Sequence, residues 1–346
     1  MTDFCRVKEI SGSLNCIKSD FSIRNCNTGV LFYPLGPSGI VTDDYETLHK
    51  FTVDRDGHFI LSSGLEFPQY MFRGQTDFYA NCVPSIGRFK SDVELYKNLC
   101  YRVLFEENIL KHPKVAYVNN QFAEKFLLNL PALSQHYGYP TDLMDLTSNF
   151  DVASFFASNS SRTGQGLFEP ITEGVGYLYI FELPSILREI DRAYGSHFQY
   201  VGWQIFYRPE QQRAFAMKLS PNEDLNNLMK PKIISFKQKG YVSRRLSKMF
   251  NKGNSLIKKD EDLENLKNSI LEIKEFTRIQ LHKAYNLGAP WFKNKYSENE
   301  LIESCGFKIC ANVKDILYFR NYTTSELDTW FRDISDRIRF RLCLKI

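Results

Sequence analysis

The sequence predicts an α+β protein with a mixed or antiparallel sheet core, flanking helices and a mostly helical C-terminal region. Three observations support this prediction. Apolar runs bounded by turn residues, typical of strands, concentrate before about residue 225. Apolar residues at helical spacing behind capping residues recur along the chain and dominate after residue 260. Apolar residues make up 43% of the chain and charged residues 24%, as in a globular protein with a large core.

With 346 residues, the chain is longer than one average domain. Composition and the positions of turn residues predict four parts along the chain. They are a β-rich N-terminal subdomain at 1–66, a central α+β domain at 67–225, a basic connecting segment at 226–259 and a helical region at 260–346.

Strands are predicted where apolar stretches meet turn residues. In FTVDRDGHFIL, Asp56 and Gly57 stand between two apolar flanks, which predicts a hairpin. Four more strands are predicted in the central part, at 69–74, 176–183, 203–208 and 213–219.

Helices are predicted from caps and periodicity. Ser91 and Glu94 form a capping-box pattern ahead of a helix over about 91–110. Further helices are predicted at 121–137, 150–157, 260–288, 297–306 and 325–336. Gly138 and Pro140 close the first of these, since glycine caps a helix C-terminus and proline cannot continue it.

The sequence contains no apolar run long enough to span a membrane and no apolar segment typical of a signal peptide. Its eight cysteines are scattered, without a CxxC pair or a histidine at zinc spacing. This pattern predicts free thiols, a cytoplasmic location and no bound metal.

Positive charge is concentrated in one window. Residues 230–259 contain ten lysines and arginines and no acids, whereas the net charge of the whole chain is only +4. Such a segment attracts polyanions, which predicts nucleic acid, or a protein bound to nucleic acid, as a partner. The residues expected to bind it are Lys237, Lys239, Arg244, Arg245 and Lys248. A solvated connecting segment is the alternative.

Three segments place polar residues where a core would be apolar. Arg73 ends a predicted strand, where its guanidinium can hold a phosphate or carboxylate, or pair with a structural carboxylate such as Asp145. His136 lies in a helix-turn-helix corner within residues 133–156. The polar groups of this corner either cap one another or line a pocket. In the third segment, Glu210, Gln211 and Gln212 either contact a ligand or lie exposed on a hairpin.

Together these segments resemble the FRG domain family. The resemblance is carried in order by FRGQ at 72–75, PSIGR at 84–88, SQHYGYPTDLMDLT at 134–147, FFA at 155–157 and QQRAF at 211–215. It covers roughly residues 65–220. Three positions depart from the family pattern: Asp142 replaces its usual arginine, Leu146 its tryptophan and Arg213 its glycine.

The motif order is similar to that of mono-ADP-ribosyltransferases, which implies an enzyme that uses NAD. By this similarity, the residues expected to take part in catalysis are Arg73, His136, Asp145, Glu210 and Gln212. Those expected to contact NAD are Arg73, Gln75, His136, Tyr137, Thr141 and Gln211. A carboxylate near the ribose would stabilise the positive charge that develops when nicotinamide leaves.

The resemblance implies an effector of a bacterial defence or toxin system, acting on a nucleic acid or protein acceptor. Two other functions are compatible with the residues. One is a non-catalytic module that binds a nucleotide, nucleic acid or partner, and the other is a hydrolase using Asp145 and Glu210. The absence of a metal-ligand pattern counts against the hydrolase. The helical region after residue 260 is predicted to dock a protein partner.

Overall fold

The structure is a computed structural model. It describes residues 8–9, 48–53, 59–65, 70–121, 125–126, 128–161, 168–182, 198–201, 204–212, 214–258, 260–311 and 319–335.

The strands are, in chain order, β1 Lys8–Glu9, β2 Leu48–Val53, β3 Phe59–Leu65, β4 Tyr70–Gln75, β5 Lys125–Phe126, β6 Leu143–Thr147, β7 Asn159–Ser160, β8 Glu169–Pro170, β9 Val175–Glu182, β10 Phe198–Tyr200, β11 Ala214–Lys218, β12 Lys232–Lys237, β13 Glu275–Thr277 and β14 Lys308–Cys310. Seven of them form the main sheet, in the order β1-β12-β9-β4-β6-β11-β10. Its neighbours are antiparallel except for the two-residue β1, which runs parallel to β12. The predicted α+β class is confirmed.

The α-helices are α1 Asp92–Ile109, α2 Pro113–Gln121, α3 Leu130–His136, α4 Phe150–Ser158, α5 Tyr207–Gln211, α6 Leu225–Met229, α7 Gly240–Met249, α8 Glu261–Ile270, α9 Arg278–Gly288, α10 Glu298–Cys305 and α11 Thr324–Ser335. Single 3-10 turns cover Ser85–Arg88 and Asn251–Gly253. Among the described residues, no helix has the length and apolarity that a membrane span requires.

Apolar side chains cover both faces of the main sheet. On one face, Phe72 and Ile234 pack with residues of α4 and α7. On the other, Met71, Met144 and Tyr179 pack beneath α6. Because side chains alternate along a strand, residues 71 and 73 of β4 share one face and residues 70 and 72 the other.

A third core joins the C-terminal helices to α1. Buried residues of α1 pack with Leu263 and Leu266 of α8, Leu281 of α9 and Leu301 of α10. The hydroxyl group of Tyr96 in α1 also donates a hydrogen bond to the carbonyl of Leu281, at 3.2 Å. Helices predicted as a separate region therefore complete the hydrophobic surface of a central helix.

Several predicted elements match the structure, and others are wrong. The strands at 69–74, 176–183 and 213–219 correspond to β4, β9 and β11. β2 and β3 pair as an antiparallel hairpin, although its Asp56-Gly57 turn lies outside the described residues. Ser91 caps α1, accepting a hydrogen bond from the backbone N–H of Glu94, and Ser297 forms a full capping box on α10.

Two predicted helices are interrupted, and one predicted strand is a helix. In place of 121–137 there are α2 and α3, and α3 has its own cap, since the side chain of Asn129 accepts from the N–H of Ala132. In place of 260–288 there are α8 and α9, because Glu275–Thr277 pairs with β14 and Thr277 starts α9 with a capping box. In place of a strand over 203–208, Tyr207 begins α5.

The basic segment contributes to the main sheet. Lys232–Lys237 forms β12, with exposed lysines at its ends and buried residues between them. Six of its residues pair with β9. Residues 226–259 therefore do more than connect, because both faces of β12 are covered by side chains of the two sheet cores.

A candidate anion-binding site in a gap of the sheet

The main sheet opens between β4 and β6. β4 pairs with β9 over six residues, from Tyr70 to Gln75. It pairs with β6 at a single position, where Phe72 lies opposite Thr147. Beyond this pair the two strands separate, and the gap between them begins next to Arg73 and Asp145.

A cavity of about 400 Å³ occupies this gap. Residues from both faces of the sheet line it: Phe72, Arg73, Gly74, Gln75, Thr76, Tyr79, Asn81, Cys82, Val83, Arg88, Met144, Asp145, Leu146, Thr147, Val152, Ala153, Phe156, Asn159, Ser160, Ser161 and Gln212. Its volume falls in the range of small-molecule sites, roughly 300–1,000 Å³. Polar side chains converge in it from β4, the following loop, β6, the end of α4 and the end of α5.

Arg73 spans the opening. Its Nη1 donates a hydrogen bond to the backbone carbonyl of Asp145, at 2.8 Å, across the part of the gap where no strand pairing occurs. Its Nε is buried without a hydrogen-bond partner among the described residues. The contact is to the main chain and not to the carboxylate, so the guanidinium charge is not neutralised by an ion pair with Asp145.

Arg88 brings a second guanidinium to the cavity. Burial lowers its pKa, and the neighbouring Arg73 lowers it further, while Asp145 opposes the shift. Neither arginine has an ion-pair partner within the described part of the chain. Two nearby guanidinium groups without a carboxylate at ion-pair distance make this a candidate site for an anion, although Asp145 also lines the cavity.

Thr141 positions the turn that carries Arg88. The backbone N–H of Ile86 donates to the carbonyl of Thr141, at 3.1 Å. The N–H of Thr141 in turn donates to the side-chain oxygen of Ser85, at 2.9 Å. Thr141 itself is fully buried and does not line the cavity. Two separate motifs, PSIGR and YPTD, are thereby fixed to each other.

Asp145 is the only carboxylate-bearing residue among the described residues that line the cavity. It lies between Met144 and Leu146, whose side chains belong to the core on the Met71 side of the sheet. Strand alternation therefore puts its side chain on the opposite face from theirs. By the same alternation Arg73 lies on the Met71 face, so the two charged groups reach the cavity from opposite faces.

His136 lies behind Asp145 rather than in the cavity. Its Nε2 is closed off from solvent and has no hydrogen-bond partner among the described residues. Burial lowers the pKa of His136, the Asp145 carboxylate opposes this shift, and Arg208 adds to it. The neutral imidazole is therefore favoured.

Tyr137 belongs to the core under the corner, where its side chain is buried. The guanidinium carbon of Arg208 lies 4.3 Å from the centre of its ring. Arg208 also donates to the carbonyl of His136, at 2.5 Å, and forms an ion pair with Glu264 of α8, at 2.7 Å. This network fixes the corner to the C-terminal helices.

The glutamine segment contributes one residue to the cavity. Gln212 lines it, donates through Nε2 to the carbonyl of Leu256, at 3.1 Å, and accepts at its own carbonyl from the hydroxyl group of Thr147, at 2.6 Å. Gln211 is exposed and does not line the cavity. The Glu210 side chain and all of Arg213 lie outside the described residues.

Two of the three positions that depart from the family pattern, Asp142 and Leu146, lie within the described residues. Asp142 is paired with Lys218 of β11, at 3.6 Å, and does not line the cavity. Leu146 is buried in the sheet core and contributes to the cavity wall.

One group of side chains in the described part of the chain has the spacing of a metal site. It comprises His112, Asp260 and Asp262. The ammonium group of Lys114 already pairs with Asp260, at 3.0 Å, and the imidazole of His112 lies 3.3 Å from Asp262. Because the Lys114 side chain already pairs with one of the two carboxylates, the group is better explained as a buried ion-pair cluster.

Fold and cavity together define an α+β domain with a candidate ligand-binding cavity in a gap of its main sheet. Residues 68–165 match the model of the FRG domain family. This segment includes both arginines, Asp145 and all other lining residues except Gln212. Comparison with curated proteins found no match, and comparison with solved structures found none either.

Sequence reasoning missed several lining residues. Arg88 closes the PSIGR motif, and its place in that motif was the available signal. Tyr79 and Asn81 lie in a loop without a recognisable pattern. Cys82 also lines the cavity, but burial raises the pKa of its thiol in spite of Arg73, which does not favour a nucleophile.

Proposed function

We propose that this protein is an NAD-dependent ADP-ribosyltransferase-like effector whose site is the cavity between β4 and β6. One observation carries the proposal: Arg73, Arg88 and Asp145 line a single cavity of about 400 Å³. Two guanidinium groups suit a diphosphate, because each can hold phosphate oxygens through two parallel hydrogen bonds. The cavity's amide side chains, Gln75 and Gln212, suit ribose hydroxyl groups.

In this proposal NAD is a substrate. The bond between ribose C1′ and the nicotinamide nitrogen breaks, and its electron pair leaves with neutral nicotinamide. Positive charge develops on the sugar, where the Asp145 carboxylate stabilises it. A nucleophilic atom of the acceptor then bonds to C1′ and releases its proton to solvent. His136 does not line the cavity, so it takes no direct part in this step.

Asp145→Asn tests the reaction. Incubated with NAD labelled in its adenylate part and with cell lysate, the unmodified protein is expected to transfer label and release nicotinamide. The variant is expected to be slower by about 100-fold, as for the loss of one electrostatic stabiliser of a transition state. Asp142→Asn is the matched control, because that carboxylate is nearby in sequence but outside the cavity. Equal rates in Asp145→Asn and Asp142→Asn would contradict the proposal.

A non-catalytic nucleotide-binding module is the second candidate. It is favoured by the charge of the site, where two arginines and one carboxylate-bearing residue line the cavity. In the same experiment this candidate predicts an NAD-dependent rise in thermal stability without nicotinamide release.

We also propose that α7 binds single-stranded nucleic acid, as acceptor or docking partner. Four of its exposed residues fall at helical spacing on one face: Tyr241, Arg244, Arg245 and Lys248. The tyrosine is 58% exposed, so its ring is accessible to a partner. Cations and an exposed ring on one stripe suit phosphates and stacked bases together. Lys237 and Lys239 precede the helix in the chain.

The double variant Arg244→Gln/Lys248→Gln is expected to reduce the salt dependence of binding to a single-stranded 20-mer. Each phosphate contact contributes about 0.7 to the slope of log K against log salt, so the slope should fall by about 1.4. Lys274→Gln/Lys308→Gln, which removes two exposed lysines of the C-terminal region, is the control. An unchanged slope in the α7 variant, or a flat response in the unmodified protein, would exclude this surface.

A further inference from the structure

The loop after β4 holds an exposed aromatic ring at the cavity. Tyr79 lines the cavity and is 50% exposed. Its neighbour Phe78 is 42% exposed and packs its ring 5.5 Å from that of Tyr177, measured between centroids. Two exposed aromatic residues side by side at a cavity offer a ring surface on which a flat ligand could stack.

The backbone beneath Tyr79 is fixed by four hydrogen bonds. Its N–H donates to the Tyr179 hydroxyl oxygen, at 3.2 Å, and its carbonyl accepts from the same hydroxyl group, at 3.3 Å. The side-chain amide of Asn226 donates to the carbonyls of Tyr79 and Ala80, at 3.1 and 3.0 Å. The backbone that carries the ring is therefore held in place, which lowers the backbone entropy lost when a ligand binds against the loop.

The charges of the cavity lie close to this ring. Tyr79 is one of the groups that interact electrostatically with Arg88, and Arg73 and Arg88 line the same cavity. A ligand that satisfied the guanidinium groups alone would leave the tyrosine face uncovered. A ligand that covered only the ring would leave two cations without an anion.

We propose that Tyr79 is a ring-stacking residue, and that the cavity takes a ligand in which an aromatic heterocycle is joined through a sugar to a phosphate group. This inference deepens the proposed function by naming a residue that contacts the heterocycle of the ligand. It rests on the proposed site, and it requires no transfer reaction.

Binding of three probes to the full chain, measured by calorimetry, tests the role of Tyr79. They are ADP, nicotinamide mononucleotide and inorganic pyrophosphate, which carry an adenine ring, a pyridinium ring and no ring. Tyr79→Ala is expected to weaken at least one of the two nucleotides by about 5- to 100-fold, the cost of one lost base–aromatic stack, and to leave pyrophosphate within twofold. Tyr79→Phe is expected to keep the affinity, because it keeps the ring.

The weakened nucleotide identifies which heterocycle stacks on Tyr79. Equal weakening of pyrophosphate would mean that the substitution disturbs the loop rather than a stack, and would overturn the inference. So would unchanged affinity for both nucleotides, or no nucleotide binding by the unmodified protein. Nucleotide binding that depends on Tyr79 without any label transfer would retain the inference and exclude the transferase.

Discussion

Replacing Arg73 with alanine is expected to weaken pyrophosphate binding by about 30- to 150-fold. The figure corresponds to about 2–3 kcal/mol, the contribution of a hydrogen-bonded charge that is lost from a partly buried site. Arg73 is held across the gap by the carbonyl of Asp145, with its Nε buried and free of protein partners among the described residues. Arg88 is more exposed, so Arg88→Ala is expected to cost less.

The variant Arg73→Lys tests whether the charge of Arg73 or the planar geometry of its guanidinium group is needed for binding. It keeps a cation but loses the planar fork, so binding should remain well below that of the unmodified protein. Arg278→Ala is the control, because this arginine is half exposed in the C-terminal region and pairs with Glu298. Thermal unfolding of each variant shows whether the fold persists. A folded Arg73→Ala protein with the affinity of Arg278→Ala would contradict an anion site at Arg73.

Gly74→Ala is expected to lower the free energy of unfolding by about 3 kcal/mol or more, at the upper end of the range for overpacked sites. A Cβ at this position would lie 1.7 Å from the carbonyl oxygen of Ala153 in α4. The obstacle is backbone, so no side-chain rotation can relieve it, and β4 and α4 would have to separate. Phe72 on the same strand also loses packing, since its ring meets Phe150 of α4 edge to face, with centroids 5.4 Å apart.

Gly306→Ala is a suitable comparison for Gly74→Ala. Gly306 has a φ of +66°, and a Cβ added there would meet no described atom within 4 Å. Alanine at this position therefore costs only the left-handed backbone strain of about 1–2 kcal/mol. Thermal denaturation of both variants gives the comparison. A midpoint for Gly74→Ala at or above that of Gly306→Ala would show that β4 and α4 tolerate separation.

The elements that sequence predicted well are those set by local signals. β9 is a continuous apolar run, and α10 has its capping box within four residues. The break between α8 and α9 depends instead on pairing of Glu275–Thr277 with residues 308–310, more than 30 positions away. Residues 232–237 are predicted to be part of a basic connecting segment because of the lysines at both ends. The residues between those lysines are buried, and the segment forms β12.

The site was predictable in part for the same reason. Arg73, Asp145, Gln75 and Gln212 lie together at the cavity, and each belongs to a motif visible in the sequence. Their catalytic and NAD-binding roles stay predictions. That Thr141 and Tyr137 support neighbouring segments could not be predicted, because their partners are distant in sequence, at Ser85 and Arg208. Strand separation at a single residue pair likewise has no local signature.

The single pair between β4 and β6 also means that the segment matching the family model does not hold its own two strands together. Residues 68–165 match the FRG domain model, yet they supply only these two strands of the main sheet, joined at Phe72 and Thr147. The strands that hold them in place, β9 and β11, come later in the chain. The part of the site that matches the family model is therefore held in place by a scaffold that the match does not contain. Such a scaffold can change the width of the gap, and with it the ligand, without altering any residue of the motif.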